Sequence, residues 1–322
     1  MQRCIIFGGS GYIGTMLARH FAAAGQFEEI VVVDIKPPAA PLPERTRFIP
    51  HDVRKPITGE LAALSAEWIF NFAAVHREPG HEPHEYYDTN LHGARNVCAF
   101  AEATGCPNLF FTSSIASYGP TTGPTTEDSP NYPKTPYGIT KHAAELIHEV
   151  WLRSTAGRRL IVCRPGVIYG PGDPGNILRM IRAVKKGRFF FPGDAGIRKS
   201  YGYIYGLLES IDFMMARPEP HLIYNYVERH TEPLRELVRL SGLAVGKKGT
   251  VTRLPITALV AAAHVIQALT GGKSPIHPVR VRKAATPTHI VPQRLIDLGF
   301  EFRYDFASSL QHWKTIAPED FA

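Results

Sequence analysis

The sequence predicts an α/β fold: a doubly wound parallel sheet followed by a smaller, irregular C-terminal lobe. Two observations carry this. Short apolar runs alternate with helical patterns through the first half of the 322 residues, as βαβ units require. The first apolar run also passes through a glycine-rich turn straight into a helical segment. A change of texture at Gly170 sets the boundary, with 1–170 as the sheet domain and 171–322 mainly the second lobe.

The expected strands are 4–7, 30–33, 47–49, 68–72, 109–113 and 160–164, with helices at 11–24, 91–104 and 140–155 between them. Right-handed crossovers then wind the helices onto both faces of the sheet. After Gly170 comes the turn-rich run Pro171-Gly172-Asp173-Pro174-Gly175, and 222–227 reads as a later strand able to rejoin the sheet.

Composition narrows the class of protein. Four cysteines (Cys4, Cys98, Cys106, Cys163) lack a C-x-x-C pair and read as the reduced thiols of a cytoplasmic chain. The N-terminus enters a strand-like run with no signal-peptide pattern. The apolar stretch 255–272 starts at a proline, carries His264 and is short for a span, so a buried or partner-packing helix is expected and no membrane span. A formal charge of +7 suits anionic ligands. The basic residues read as scattered, apart from Arg179, Arg182, Lys185, Lys186 and Arg188 and the run 280–283, so nucleic acid is not an expected partner.

The chemistry begins at Gly8-Gly9-Ser10-Gly11-Tyr12-Ile13-Gly14. Glycines at 8, 11 and 14 permit a tight turn, approach of the backbone to a pyrophosphate, and close helix–strand packing, which makes the sheet domain Rossmann-type. Asp34 ends the second strand, 20 residues past Gly14. A carboxylate there accepts both hydroxyls of an adenosine ribose and repels a 2′-phosphate, favouring NAD over NADP. Tyr137 and Lys141 stand at i and i+4 on one helix face, where an ammonium lowers a phenol's pKa towards neutrality. Such a tyrosine removes an alcohol proton as hydride leaves the carbon. Ser113 and Ser114 follow the apolar run 109–111 at the carboxyl edge of the sheet, where a hydroxyl reaches the same oxygen or simply ends the strand.

These pieces occur together in a recognisable order: GGSGYIG (8–14), Asp34, Asp52-Val53, NFAA (71–74), TNLHGARNV (89–97), FTSSIASYG (111–119), YGITK (137–141) and RPGVIYGPG (164–172). In them the chain resembles the extended short-chain dehydrogenase/reductases of the NAD-dependent epimerase/dehydratase family, with weaker echoes as far as LIDLGFEF (295–302). The resemblance implies Tyr137 as catalytic base, Lys141 as its partner and ribose anchor, and Ser114 as the hydroxyl that orients substrate. It implies Asp52 and Val53 at adenine, and Phe72, Ala73 and Ala74 along the pyrophosphate and ribose. Pro165 and Ile168 fall at the nicotinamide, and Ser10, Tyr12, Ile13 and Thr112 also on the cofactor side. Asn90 falls there too, or else caps a helix start.

The family's 4,6-dehydratases place acids where this chain has Ile115 and Ala116, so the resemblance implies a nucleotide-sugar epimerase of the 4-epimerase kind. The alternatives are a reductase of a nucleotide keto-sugar and a catalytically silent NAD-binding protein. Substrate contacts are implied for Ser113, Ser114, Asn176, Arg198, Lys199 and Arg282. Lys199 stands where the family carries arginine, and Tyr205-Gly206 where it carries two acids. The loop 76–85 holds three histidines among carboxylates without helical spacing. It is read as bordering the sugar pocket through His76 or Arg77, or as solvated, and no metal is expected. The resemblance also implies a homodimer through the helices 91–104 and 140–155, with Ala143, Ala144, Ile147, Val150 and Trp151 as apolar surface, a pattern that a helix facing its own core shows equally.

Overall fold

The computed structural model describes residues 2–322 apart from Thr122, Pro174, Arg188, Lys273 and Pro275. The expectations that fell on Pro174 and Arg188 therefore lie outside the described residues. The first half runs β1 (Arg3–Phe7), α1 (Tyr12–Ala24), β2 (Glu29–Asp34), β3 (Thr46–Pro50), β4 (Trp68–Asn71), α2 (Pro83–Ala103), β5 (Asn108–Thr112), α3 (Pro136–Ser154) and β6 (Arg159–Pro165). The second half runs β7 (Val167–Tyr169), α4 (Asn176–Lys185), β8 (Phe190–Pro192), β9 (Tyr201–Tyr203), α5 (Ile204–Met215), β10 (His221–Tyr226), α6 (Leu234–Ala244) and β11 (Thr252–Leu254). It closes with α7 (Ile256–Leu269), α8 (Pro278–Ala285), α9 (Gln293–Asp297) and α10 (Phe306–Ile316).

Among the described residues seven strands form one parallel sheet in the order β10-β6-β5-β4-β1-β2-β3. β10 rejoins the sheet beside β6, pairing Leu222 with Ile161 and Tyr224 with Cys163. Both faces are covered, so the central strands are almost continuously apolar. Alternate side chains of β1 feed two cores: Cys4 and Ile6 pack with α1, α5 and α10, and Ile5 and Phe7 with α2 and α3. Two two-stranded sheets, β7 with β9 and β8 with β11, frame the second lobe.

Two helices depart from expectation. α2 begins at Pro83 rather than 91, because Pro83 suits a first helical position and the Glu85 side chain accepts from the Glu82 amide at 2.7 Å. His81 and Glu85 consequently form an i,i+4 pair, 3.2 Å apart, in a segment read as irregular loop. α7 forms within 255–272 with Ala263 as its one buried residue among those described, which overturns the buried reading of this stretch and not the partner-packing one.

Where β10 ends, Glu228 is 6% exposed and accepts a hydrogen bond from the Tyr169 hydroxyl. Burial pushes its carboxyl up to about 8. A pKa raised on folding gives stability that is whole below the unfolded value, near 4.5, and is lost as pH rises through 8. Glu228→Gln, which stays neutral, is expected to equal the parent at pH 5 and exceed it by roughly 2–4 kcal/mol at pH 9. Urea melts at the two pH values check this, and an unchanged difference would rule the linkage out.

Candidate active site

The carboxyl edge of the sheet gathers the residues singled out by sequence. Gly8 follows β1 with φ +74°, and a Cβ there would come within 2.5 Å of the Ala73 amide nitrogen. Only glycine lets the β1 turn lie against the chain leaving β4. Asp34 closes β2, and its carboxylate accepts from the Ser10 amide at 3.2 Å and from the Lys36 amide at 3.3 Å. The acid is thereby aimed over the glycine turn with lone pairs to spare for ribose hydroxyls.

Dinucleotide fit is tested by buried polar atoms. The hydroxyl of Ser10, the residue before the α1 N-cap, lies buried with no hydrogen-bond partner. Such orphans cost ~1–3 kcal/mol each unless a ligand meets them. A pyrophosphate at this helix start does so. Val53 is buried and its carbonyl accepts from Asn96 Nδ2 at 2.7 Å. Asp52 instead pairs with Arg54 at 2.6 Å, which holds its carboxyl below the usual range. Phe72, Ala73 and Ala74 are half-buried just past β4, Pro165 ends β6, and Ile168 pairs with Gly202 across β7 and β9.

Tyr137 sits in the first turn of α3, which starts at Pro136 and is capped by Thr135, whose Oγ1 accepts from the Gly138 amide at 3.2 Å. Ser114 opens the short 3-10 turn Ile115–Tyr118, its Oγ accepting from the Ala116 amide at 3.2 Å. A Cβ on Gly138 would lie 2.4 Å from the Ala116 carbonyl oxygen, so glycine after Tyr137 lets helix and turn touch. Ser114 and Tyr137 are in consequence brought to the same side of this contact, where the serine hydroxyl acts to lower the phenol's pKa. Lys141 is buried one turn on, with Nζ donating to the Thr112 carbonyl at 2.6 Å and 4.8 Å from the Phe111 ring centroid.

The electrostatics differ from the simple tyrosine–lysine picture. Burial pushes the Tyr137 phenol above its ordinary value, with the Ser114 hydroxyl acting the other way. Burial also brings Lys141 itself down to about 7, with Glu145 pulling the other way. The i+4 spacing places the ammonium on the right face, but here its Nζ is engaged with Thr112.

Several expected site residues have other partners. Asn90 lies inside α2 and caps nothing; its Oδ1 accepts from the Val75 amide at 2.8 Å and its Nδ2 donates to Thr140 Oγ1 at 2.9 Å. It ties the strand-end loop to α3. Lys199 donates to the carbonyls of Lys283, at 2.7 Å, and Thr286, at the end of α8. Its ammonium pins that helix, and burial brings its pKa down to about 8. Arg198 donates to the Thr231 carbonyl and lines, with Arg229, His230 and His289, a cavity of about 360 Å³. Ser113 is buried; Asn176 and Arg282 are exposed at the first turn of α4 and on α8, and His76 and Arg77 on the loop beyond β4.

Sequence reasoning missed the support beneath Lys141. Glu145 accepts from Arg164 at 2.9 and 2.7 Å in a bidentate, buried pair. Arg164 also donates to the Tyr118 hydroxyl at 2.9 Å, which donates to Asn225 Oδ1 at 2.8 Å. The network joins α3, the Ser114 turn, β6 and β10. Its signal was present: Glu145 follows Lys141 by four residues on the same buried face.

Fold and site together set a glycine turn and Asp34 at the same sheet edge as a serine, a tyrosine and a lysine. The profile of the NAD dependent epimerase/dehydratase family matches residues 4–226. The undecaprenyl-diphosphate-linked N-acetylglucosamine 4-epimerase of Escherichia coli O157:H7 is 28% identical over 311 residues, covering 95% of this chain and 92% of the relative. UDP-glucose 4-epimerase 2 of rice is 31% identical over 216 residues, 58% of this chain and 52% of its own. Among solved structures, UDP-glucose 4-epimerase of Thermotoga maritima superposes with a TM-score of 0.78 at 17% identity, covering 100% of both chains. UDP-glucuronic acid 4-epimerase of Bacillus cereus, solved with NAD, gives 0.76 at 15% identity and 99% of both. The chain belongs to the NAD-dependent epimerase/dehydratase family.

Removing one partner of a buried ion pair strands the other charge. Glu145→Gln and Arg164→Met are each expected to lower stability by about 3–5 kcal/mol. The double variant should lose less than the two losses added. Urea denaturation of the three proteins checks the coupling.

Proposed function

We propose that the chain inverts C4 of a sugar carried on a diphosphate, with a nucleotide as the first reading of the carrier. The carrying observation is the close contact of the Ser114 turn with the first turn of α3, through Ala116 and Gly138, which sets Ser114 beside Tyr137 at a turn that holds no acid, Ile115 and Ala116 occupying it. The glycine turn and Asp34 would hold NAD, which would supply the acceptor for the C4 hydride and return that hydride to the opposite face of the ketone. Tyr137 takes the proton of the C4 hydroxyl and later returns it; Ser114 holds the sugar oxygen in reach of that phenol. Lys141, one turn along the same helix and tied to Thr112, anchors the ribose. With no second acid or base beside Ile115, the ketone is only re-reduced, which supports inversion over elimination.

A lipid diphosphate is the second reading of the carrier. It is favoured by the full-length likeness to the E. coli relative and by the apolar, uncharged and exposed α7. The pairing of α2 with α3 leaves Tyr87, Ile139, Leu146 and Val150 exposed on one flank, which supports a homodimer there. Ala144 and Trp151, read as interface surface, face the chain's own core instead. Free, buried cysteines fit a cytoplasmic chain.

The test is turnover of UDP-hexoses and of a polyprenyl-diphosphate sugar by protein carrying its own NAD. Interconversion of the two C4 epimers without net consumption of added NADH is expected, and stoichiometric NADH oxidation would establish the keto-sugar reductase instead. Tyr137→Phe should lower kcat by roughly 10²–10⁴-fold. An unchanged rate in that variant would remove the catalytic reading altogether.

A further inference from the structure

The formal charge of the chain is unevenly placed. Between Leu237 and Ile296 the sequence holds nine Lys and Arg and no Asp or Glu, so this segment alone carries +9 and the remainder −2. The basic residues are not scattered, as first read, but concentrated by the absence of acids around α7 and α8.

Within that segment lies the least covered apolar surface of the lobe. α7 is a 14-residue helix without one charged side chain. Its Val265 and Leu269 are 58% and 82% exposed, and across the turn Ile276 and Val279 are 49% and 41% exposed. Gln267 fixes that turn, its Nε2 donating to the carbonyls of Ser274 at 2.8 Å and Ile276 at 2.7 Å. A helix that is apolar all round belongs in a core or in lipid. At ~1.5 Å per residue α7 reaches about 21 Å, short of a bilayer's ~30 Å hydrocarbon layer. Among the described residues no helix is long and apolar enough to cross a membrane. What remains is a surface that enters an interface without spanning it.

The hairpin is also wired to the active site. Arg280 on α8 donates to the Pro79 carbonyl at 3.2 Å, and Lys283 pairs with Glu78 at 3.2 Å. Two residues before Pro79, the Arg77 carbonyl accepts from Tyr86, whose ring lies 6.5 Å from that of Tyr137. Lys199 holds the far end of α8. α8 is eight residues, ~12 Å long, so apolar turn and catalytic mouth are one short helix apart.

We propose that the α7–α8 hairpin seats the enzyme on an anionic phospholipid surface, apolar turn inserted and basic segment against the headgroups, so that the active-site mouth meets a lipid-borne sugar diphosphate. Charge complementarity commits the occupant: Arg239, Lys283 and Arg294 meet Glu236, Glu78 and Asp128, and the segment's remaining basic side chains leave the apolar patch in a net positive surround that repels a second copy of itself and matches an anionic bilayer. The purpose of this docking rests on the second reading of the carrier; the docking itself is measured without any substrate.

The experiment is co-sedimentation of the full-length protein with vesicles of phosphatidylcholine containing about one-third phosphatidylglycerol, and with vesicles of phosphatidylcholine alone. Binding to the anionic vesicles is expected, weakened roughly tenfold between low and high salt. Val265→Asp/Leu269→Asp should weaken it by at least roughly tenfold while leaving turnover of a water-soluble sugar diphosphate unchanged. Because these residues are exposed, a circular dichroism melt matching the parent's confirms that the variant is folded. Equal binding by parent and variant, or none by either, overturns the proposal. So does a parent dimer, by light scattering, that the variant alone dissociates, because the patch is then a protein interface. Loss of epimerase activity with intact vesicle binding would refute the proposed reaction and leave the docking standing.

Discussion

The bidentate pair between Glu145 and Arg164 is the constraint on which the catalytic edge depends. Placing both charges inside the protein is tolerable only because each meets several partners: two oxygens face two nitrogens, and the third guanidinium donor finds Tyr118. The pair crosses from α3 to β6, so the helix that carries Tyr137 and Lys141 cannot slide along the sheet without breaking it. Tyr118 passes the constraint to Asn225 on β10, and Asn225 receives a second anchor where its amide donates to Glu127 at 2.8 Å. The turn bearing Ser114 and the helix bearing Tyr137 are thus referenced to the same two strands.

Much of the sheet was legible because a parallel strand buried on both faces has no freedom in composition. Residues 30–33 and 160–163 are apolar throughout, and each proved to be a fully covered strand. The glycine turn and Asp34 were legible for a related reason: few residues satisfy a positive φ at Gly8 with the Ala73 backbone in contact. The start of α2 was not legible from periodicity, since its first turn is polar and is fixed by local capping at Glu82 and Glu85 rather than by burial. The exposure of α7 was hidden too. Apolar residues carry no mark of whether a core or another medium covers them.

The site was legible in its reacting groups and much less in their supports. Tyr137, Lys141 and Ser114 follow from spacing and from placement after a strand. Asn90, Lys199 and Arg164 depend on partners 15, 84 and 19 positions away, and no local pattern announces such a pairing. Lys199 shows why the distinction matters. A charge expected to meet a ligand's phosphate meets two carbonyls at a helix end, so its contribution is the position of α8.

The placement of β10 also governs the order in which the chain can fold. β6 is complete at Pro165, yet its neighbour arrives only with His221. During synthesis the nascent sheet therefore ends on an open apolar edge, Leu160 to Cys163, through the time needed to make some 55 more residues. β7, α4, β9 and α5 lie within that interval. A nascent chain stalled there would present an adhesive strand to its neighbours, so the late strand acts as the seal on a sheet otherwise finished.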